Sequence, residues 1–472
     1  MIFMVMGLPL AAGGLVFILP RNGQRNGVLF WTALSHLLLV ASFWIYPPHS
    51  ALNGFFALDS FGIIILSIVS VLFFAVSLYV PAYLGNEEGR SNHVFTGCLL
   101  FLLFAMTVIA LSRHLGLFWV AVEFTTLMSA PLINFHRRPQ GLEATWKYLM
   151  IGSVGIALAL LGTFFLAISA IQIKSLVLDE VLGQASLLST PWLKLGVIFL
   201  AVGYGTKMGL VPMHSWKPDA YGEAPGPVGA LLAGGLTNCA FLAFLRIYQI
   251  CHAAGQTEFL RPILLTLGML SIALAALSML GQVDFNRLLA YSSIEHMGIL
   301  ILGLGLGGLG LYGSLFHSVN NAFSKGLIFL ISGTLYQKYQ SKRINHIHGV
   351  VRVFPWTGGL LIVALLAVTG IPPFGTFFSE WMILSAALTG RHYGIAFFYL
   401  VFLSVVFIAL VEVFLRMARG VPPAALVERS AKDSWGTTIP PLLLAGLALL
   451  LGIYMPPFLD QALKQSSVLL GV

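Results

Sequence analysis

Charged residues are scarce, making up 9% of the 472-residue sequence, against about 25% in a soluble domain. No polar stretch is long enough to fold as a soluble domain of its own. Cysteine is nearly absent: Cys98, Cys239 and Cys251 lie far apart in or near apolar runs, with no CxxC pair. That spacing speaks against a disulfide framework and against iron–sulfur ligation. The opening "MIFMVMGLPLAAGGLVFILP" lacks a basic n-region, and Arg21 and Arg25 follow its apolar stretch. It therefore reads as a retained first helix rather than a signal peptide.

Apolar side chains are abundant, at 58%. Runs of about 20 residues, enough to cross a hydrocarbon core of roughly 30 Å, recur along the whole chain. The sequence predicts an all-α membrane protein with residues 1–472 as one membrane domain. Breaks at Pro, Gly and charge divide the runs into about fourteen segments, among them 94–111, 115–134, 192–212, 225–250, 311–334 and 357–388. Under that division alternate loops hold most of the Lys and Arg, including Arg21, Arg25, Arg90, Arg137, Arg138, Lys217, Arg287, Lys342 and Arg429. The positive-inside rule makes those loops cytoplasmic and puts both termini on the outer side of a plasma or inner membrane. The net charge of +8 follows from the same loops and carries no nucleic-acid signal.

Two segments are interrupted alike. "GTKMGLVPMHSW" places Gly209 and Pro212 just after Lys207, and "AVTGIPPFGTFFSEW" places Gly370, Pro372, Pro373 and Gly375 just before Glu380. Proline removes a donor and clashes with the preceding turn, so the seventh and twelfth helices are expected to break inside the membrane. Broken backbone at that depth needs protein or a wet cavity around it. Paired breaks mark repeat-built transporters. Helices 4–8 and 9–13, covering 94–250 and 260–418, would put the breaks in register, and an odd number of helices per unit would make the two repeats inverted.

Four charged positions stand inside apolar runs: Glu123, Lys207, Lys325 and Glu380. A charge at the bilayer centre costs about 2.5–3.5 kcal/mol on insertion scales. Any one of them could be a structural tie between helices, but four spread over four helices point to an ion path. His317, Asn321 and Lys325 follow at i, i+4 and i+8, stacking on one helix face at about 6 Å per step. Water bridges such gaps, and a file of titratable groups is what proton transfer requires. His317 alone is as well read as a packing residue. Arg246, Glu412 and Arg416 sit near helix ends, where snorkelling to the headgroups is the default.

At "PMHSWKPDAYGEAPGPVGALL" the sequence resembles the antiporter-like membrane subunits shared by respiratory complex I, the Mrp cation/proton antiporters and the group 4 membrane-bound [NiFe]-hydrogenases. The likeness runs from about Phe101 to Met417. It implies fourteen helices with two inverted five-helix repeats. Glu123, Lys207, Lys325 and Glu380 match the family's ion-translocating positions, with Glu123 and Lys207 as a switchable pair. "WKYLMIGSVGIALALLGT" and "RLLAYSSIEHMGIL", with Glu295 and His296, look most like the component F type of hydrogenase-4. His214 lies within the matching "PMHSW" turn. Asn238 and Asn321 depart from the pattern, since many relatives carry Lys or His there. Asn cannot relay a proton itself, so the link between the two halves must depend on water or be interrupted at those points.

The implied function is a proton- or sodium-translocating membrane subunit of an energy-converting hydrogenase complex, without a cofactor or redox centre of its own. Its partners would be other membrane subunits and a soluble hydrogenase and iron–sulfur arm. The alternatives are a complex I or Mrp subunit, a partner in vectorial CO2 hydration, or a non-translocating membrane scaffold. The chain ends about fifteen residues after its last membrane segment, without room for the long lateral helix of the largest complex I subunit of this type.

Overall fold

The computed structural model describes residues 1–85, 91–423, 426 and 432–471; Arg90 and Arg429 lie outside them. The described residues are helical, and their only β pairing is isolated bridges such as Asp284 with Arg343. In chain order the helices begin with α1 Ile2–Ile18, α2 Asn22–Phe43, α3 Ser60–Leu84, α4 His93–Leu111, α5 Leu115–Ile133 and α6 Pro139–Ser169. A short α7, Leu178–Gly183, leads to α8 Thr190–Met208, α9 Trp216–Glu223, α10 Gly226–Ala230 and α11 Thr237–Ala253. They continue as α12 Thr257–Met279, α13 Phe285–Leu306, α14 Leu309–Tyr339, α15 Val350–Val353, α16 Pro355–Val368, α17 Gly375–Thr389 and α18 Tyr393–Ala418. Last come α19 Trp435–Ile453 and α20 Pro457–Val468, so the stretch after the last apolar segment is itself partly helical.

Ten helices among the described residues are long and apolar enough to cross a membrane. The charged and broken elements α8, α14, α16 and α17 fall outside that set. α14 lies at the centre, packed on α3, α10, α13, α16, α17 and α19, and its residues from Ser314 to Leu335 are buried. α10 and α11 join through a π-helical turn at Leu231–Leu236.

Both expected breaks are present, and they close in the same way. α8 ends at Gly209 with φ +80°, and Leu210 N–H donates to Gly205 C=O at 2.9 Å. α16 ends before Gly370 with φ +61°, and Ile371 N–H donates to Leu366 C=O at 3.1 Å. A left-handed residue followed by a six-to-one bond is the Schellman stop, which glycine adopts without steric cost. The first-half site also depends on the close approach of α6 and α8. A Cβ on Gly203 would meet Ala159 N at 2.5 Å, and one on Gly162 would meet Leu200 N at 2.7 Å. Small residues there let the two backbones touch, as helix packing in lipid favours.

Arg246 does not snorkel. It is 3% exposed and forms a two-pronged pair with Asp59, one prong being Nη2 to Oδ1 at 2.9 Å. Arg113 Nη1 donates to the same carboxylate at 2.7 Å and also pairs with Asp179. Asp59 in addition caps α3, accepting from Gly62 N–H at 2.8 Å. One carboxylate thus ties the start of α3 to α11 and to the loop before α5. Burial pushes the Asp59 pKa up, but Arg246, Arg113 and the Gly62 amide outweigh it and bring the group down to about 2.

Candidate functional site: a file of buried charges

In the first half Lys207 stands on the last turn of α8, 1% exposed. Its ammonium donates to Thr126 Oγ1 at 2.7 Å and to Tyr148 OH at 3.0 Å. Thr126 Oγ1 in turn donates to Glu123 Oε2 at 3.2 Å, and Ser153 Oγ donates to Glu123 Oε1 at 3.2 Å. The connection from Lys207 to Glu123 therefore runs through a hydroxyl, not through direct contact. Thr126 lies one helical turn after Glu123, so α5 presents both groups on one face. A hydroxyl that accepts from the ammonium while donating to the carboxylate is a one-step proton bridge.

Lys217 corrects the sequence reading, which put it in a solvated loop. It is fully buried on α9, and its ammonium donates to Met208 C=O at 2.9 Å and to Ser293 C=O at 3.4 Å. Trp216 Nε1 donates to Thr206 C=O at 2.8 Å. The two side chains donate to carbonyls in the last turn of α8, where intrahelical donors run out, and Thr206 C=O also accepts from Gly209 N–H at 3.1 Å. The same ammonium reaches α13, which carries the second half of the site. The spacing of Trp216, Ala220 and Tyr221 was the available signal, because an apolar face at i, i+4 and i+5 marks a packed helix rather than a loop. Lys217→Met keeps the stem and removes these bonds. The complex carrying it is expected to lose about 1.5–3 kcal/mol, seen as a lower thermal midpoint in detergent, and an unchanged midpoint would show the bonds to be dispensable.

In the second half Lys325, fully buried on α14, donates to Ser292 Oγ at 2.5 Å. Lys325, Glu295 and Glu380 lie close enough to influence one another electrostatically. The His296 and His317 rings face each other, Nδ1 to Nε2 at 3.0 Å, and His317 Nδ1 contacts Ser379 Oγ at 2.9 Å. Glu380, 9% exposed, lies over the break in α16: a Cβ on Gly370 would meet its Oε2 at 2.3 Å. The left-handed φ of +61° at this position is what favours glycine there. Glu295 and Glu380 line one cavity of about 580 Å³ with Thr369, Gly370, Trp381 and Tyr399.

Asn238 and Asn321 lie where the two halves meet. Asn238 Nδ2 donates to Gly234 C=O at 2.7 Å and to Ser318 C=O at 3.3 Å, while its Oδ1 has no protein partner among the described residues. Neither amide atom of Asn321 has one. Of the ten residues singled out in the sequence, Glu123 and Lys207 form one group, and Lys325, Glu295, His296, His317 and Glu380 form another. His214 stands apart, half-buried on the turn after α8. The hydroxyls of Thr126, Tyr148, Ser292 and Ser379 complete the network, and nothing in their sequence context sets them off from other hydroxyls in apolar helices.

Residues 112–407 match the family described as "NADH:quinone oxidoreductase/Mrp antiporter, TM". The chain belongs to this family. It is 34% identical over 387 residues to a "Hydrogenase-4 component F homolog" of Methylacidiphilum infernorum, covering 79% of this chain and 81% of the relative. It is 33% identical over 330 residues to an "NADH-quinone oxidoreductase subunit N" of Desulforudis audaxviator, covering 68% of this chain and 64% of the relative. A chain of the Mrp complex from Dietzia sp. DQ12-45-1b superposes with a TM-score of 0.88 at 20% identity, covering 100% of this chain and 97% of that one. At that identity the superposition speaks for the fold. The chain is thus an antiporter-like, multi-pass membrane subunit of the complex I, Mrp and hydrogenase-4 superfamily.

Proposed function

We propose that this antiporter-like subunit conducts protons through the membrane within an energy-converting hydrogenase complex. The supporting observation is the file of titratable groups on both sides of Lys217, with buried Lys207, Thr126 and the partly buried Glu123 hydrogen-bonded on one side and buried Ser292, Lys325, Glu295 and Glu380 grouped on the other. Ammonium, imidazole and hydroxyl groups pass protons, whereas a sodium site calls for several oxygen ligands around one point. Glu123, Lys207, Lys325 and Glu380 carry the proton, His296, His317 and Glu295 assist, and His214 sits near one mouth. Water serves the amide atoms of Asn238 and Asn321, because buried polar atoms need partners.

The architecture proposed for this path has fourteen crossings, with inverted repeats at 94–250 and 260–418, and the matching stops at Gly209 and Gly370 support it. Both termini then face outward, and side-specific labelling of cysteines placed at Ala51 and Lys342 is expected from opposite faces. Electron transfer in a soluble hydrogenase and iron–sulfur arm would drive the path through neighbouring membrane subunits. The component F relative favours this complex, and the subunit N relative favours complex I as the second reading. Purification of the intact assembly separates them by whether a nickel-ligating large subunit is present.

Asn321→Leu tests transport against a scaffold role. Leucine excludes water from the gap, so proton movement should fall about tenfold or more in an assembled complex, while Asn321→His retains it. An undiminished rate in the leucine variant would favour the scaffold.

A further inference from the structure

Where α13, α14 and α17 meet, a nitrogen of His296, a nitrogen of His317 and a carboxylate oxygen of Glu380 all lie within 4.8 Å of one another, and all three residues are buried. We infer that these residues form a binding site for a divalent transition-metal ion of the zinc type.

The facing nitrogens, His296 Nδ1 and His317 Nε2, are 3.0 Å apart. Tetrahedral zinc with nitrogen ligands at about 2.0–2.1 Å holds neighbouring ligands about 3.3 Å apart. An ion therefore fits between the rings with a few tenths of an ångström of opening. Glu380 follows by a side-chain adjustment of about an ångström, and a water completes four ligands, the His2Glu pattern of open zinc sites.

Metal-bound imidazoles need their protons on the far nitrogens, each with an oxygen to receive it. His317 Nδ1 has Ser379 Oγ at 2.9 Å. His296 Nε2 lies 3.7 Å from Glu295 Oε2, and neither atom has a partner at full hydrogen-bond geometry among the described residues. A shift of the His296 proton from Nδ1 to Nε2 frees the inner lone pair and gives both unpartnered atoms a use. No net proton leaves the pair of rings.

Access comes through the cavity of about 580 Å³ that Glu295 and Glu380 line, whose rim includes the exposed Trp381, Leu400 and Ile408. Two imidazoles with a carboxylate suit zinc, cobalt or copper and suit sodium, magnesium or calcium poorly. Under the proposed function an ion here replaces the His296–His317 hydrogen bond and blocks the second half of the path. The site itself does not depend on that function.

The test uses the purified complex containing the full chain, stripped with chelator and titrated with Zn2+ alone. Bound zinc is counted by mass spectrometry, and its ligands are read by X-ray absorption. The wild type should hold an ion with two imidazoles and oxygen ligands at about 2.0 Å. The His296→Asn, His317→Asn double variant should lose one zinc per chain. Ser379→Ala, which removes no ligand, should weaken binding about 10–100-fold. No zinc bound by the wild type at micromolar concentration, an absorption spectrum without imidazole, or equal zinc in the double variant would overturn the site. Since the readout is bound metal, a chain that binds zinc but moves no protons once stripped of it would sink the proposed function and leave the site standing.

Discussion

Replacing Lys207 with Ala stops proton movement while the complex still assembles. The ammonium is the donor that starts the bridge through Thr126 to Glu123, and alanine leaves no titratable group in its place. A positioned proton-transfer group is worth about 10²–10⁴ in rate, so the expected fall is about a hundredfold or more. Glu123→Gln should act similarly, because the bridge then ends on an amide that cannot accept the proton. Thr126→Val keeps the shape and removes the hydroxyl, so it should slow transport in proportion to how much passes through that bridge. Initial rates of acidification in sealed vesicles read all three, and normal rates in Lys207→Ala would remove Lys207 from the path.

Asp59→Asn lowers the stability of the whole chain. The carboxylate faces Arg246 and Arg113, whose side chains are 4% and 8% exposed. Removing one partner of a buried ion pair costs about 3–5 kcal/mol, because Arg246 stays desolvated without its carboxylate while Arg113 keeps only Asp179. The thermal midpoint of the detergent-solubilised complex should fall by several degrees. The pH dependence has a definite sign. The folded carboxyl binds its proton less tightly than the unfolded one, with a pKa of about 2 against about 3.9. The unfolded state therefore takes up the proton first as pH falls. The stabilisation is complete above about pH 4 and is lost as pH drops toward about 2. Asp59→Asn should lack this acid-side loss. Equal midpoints for both proteins at neutral pH would show the cluster to be dispensable.

The sequence displayed what depends on local chemistry. A charge inside an apolar run is costly wherever the run packs, so Glu123, Lys207, Lys325 and Glu380 were visible without coordinates. The breaks were visible too, because proline and glycine act on their own turns. What escaped depends on contacts distant in sequence. Prolines on either side made Lys217 look like a loop residue, although α9 folds back to cap α8 and reaches Ser293, 76 residues away. Arg246 looked like a helix-end residue because its partner, Asp59, is 187 residues away. Thr126 and Ser292 matter only through the ammonium groups they meet. The hydroxyl between Glu123 and Lys207 escaped for the same reason, since a pair of sequence positions does not fix the side chain between them.

Glu380 is the group at which the proposed path would open to one aqueous side. It lies against Gly370 at the broken helix, lines the cavity with Glu295, and interacts with the charge of Lys325. Light scattering and subunit content first establish that the Glu380→Gln complex is assembled. Proton translocation in sealed vesicles is then measured for the wild type and Glu380→Gln side by side. The account predicts that the glutamine variant moves no protons while electron transfer in the partner subunits slows with it, and a full rate of proton movement in that variant would contradict the path proposed here.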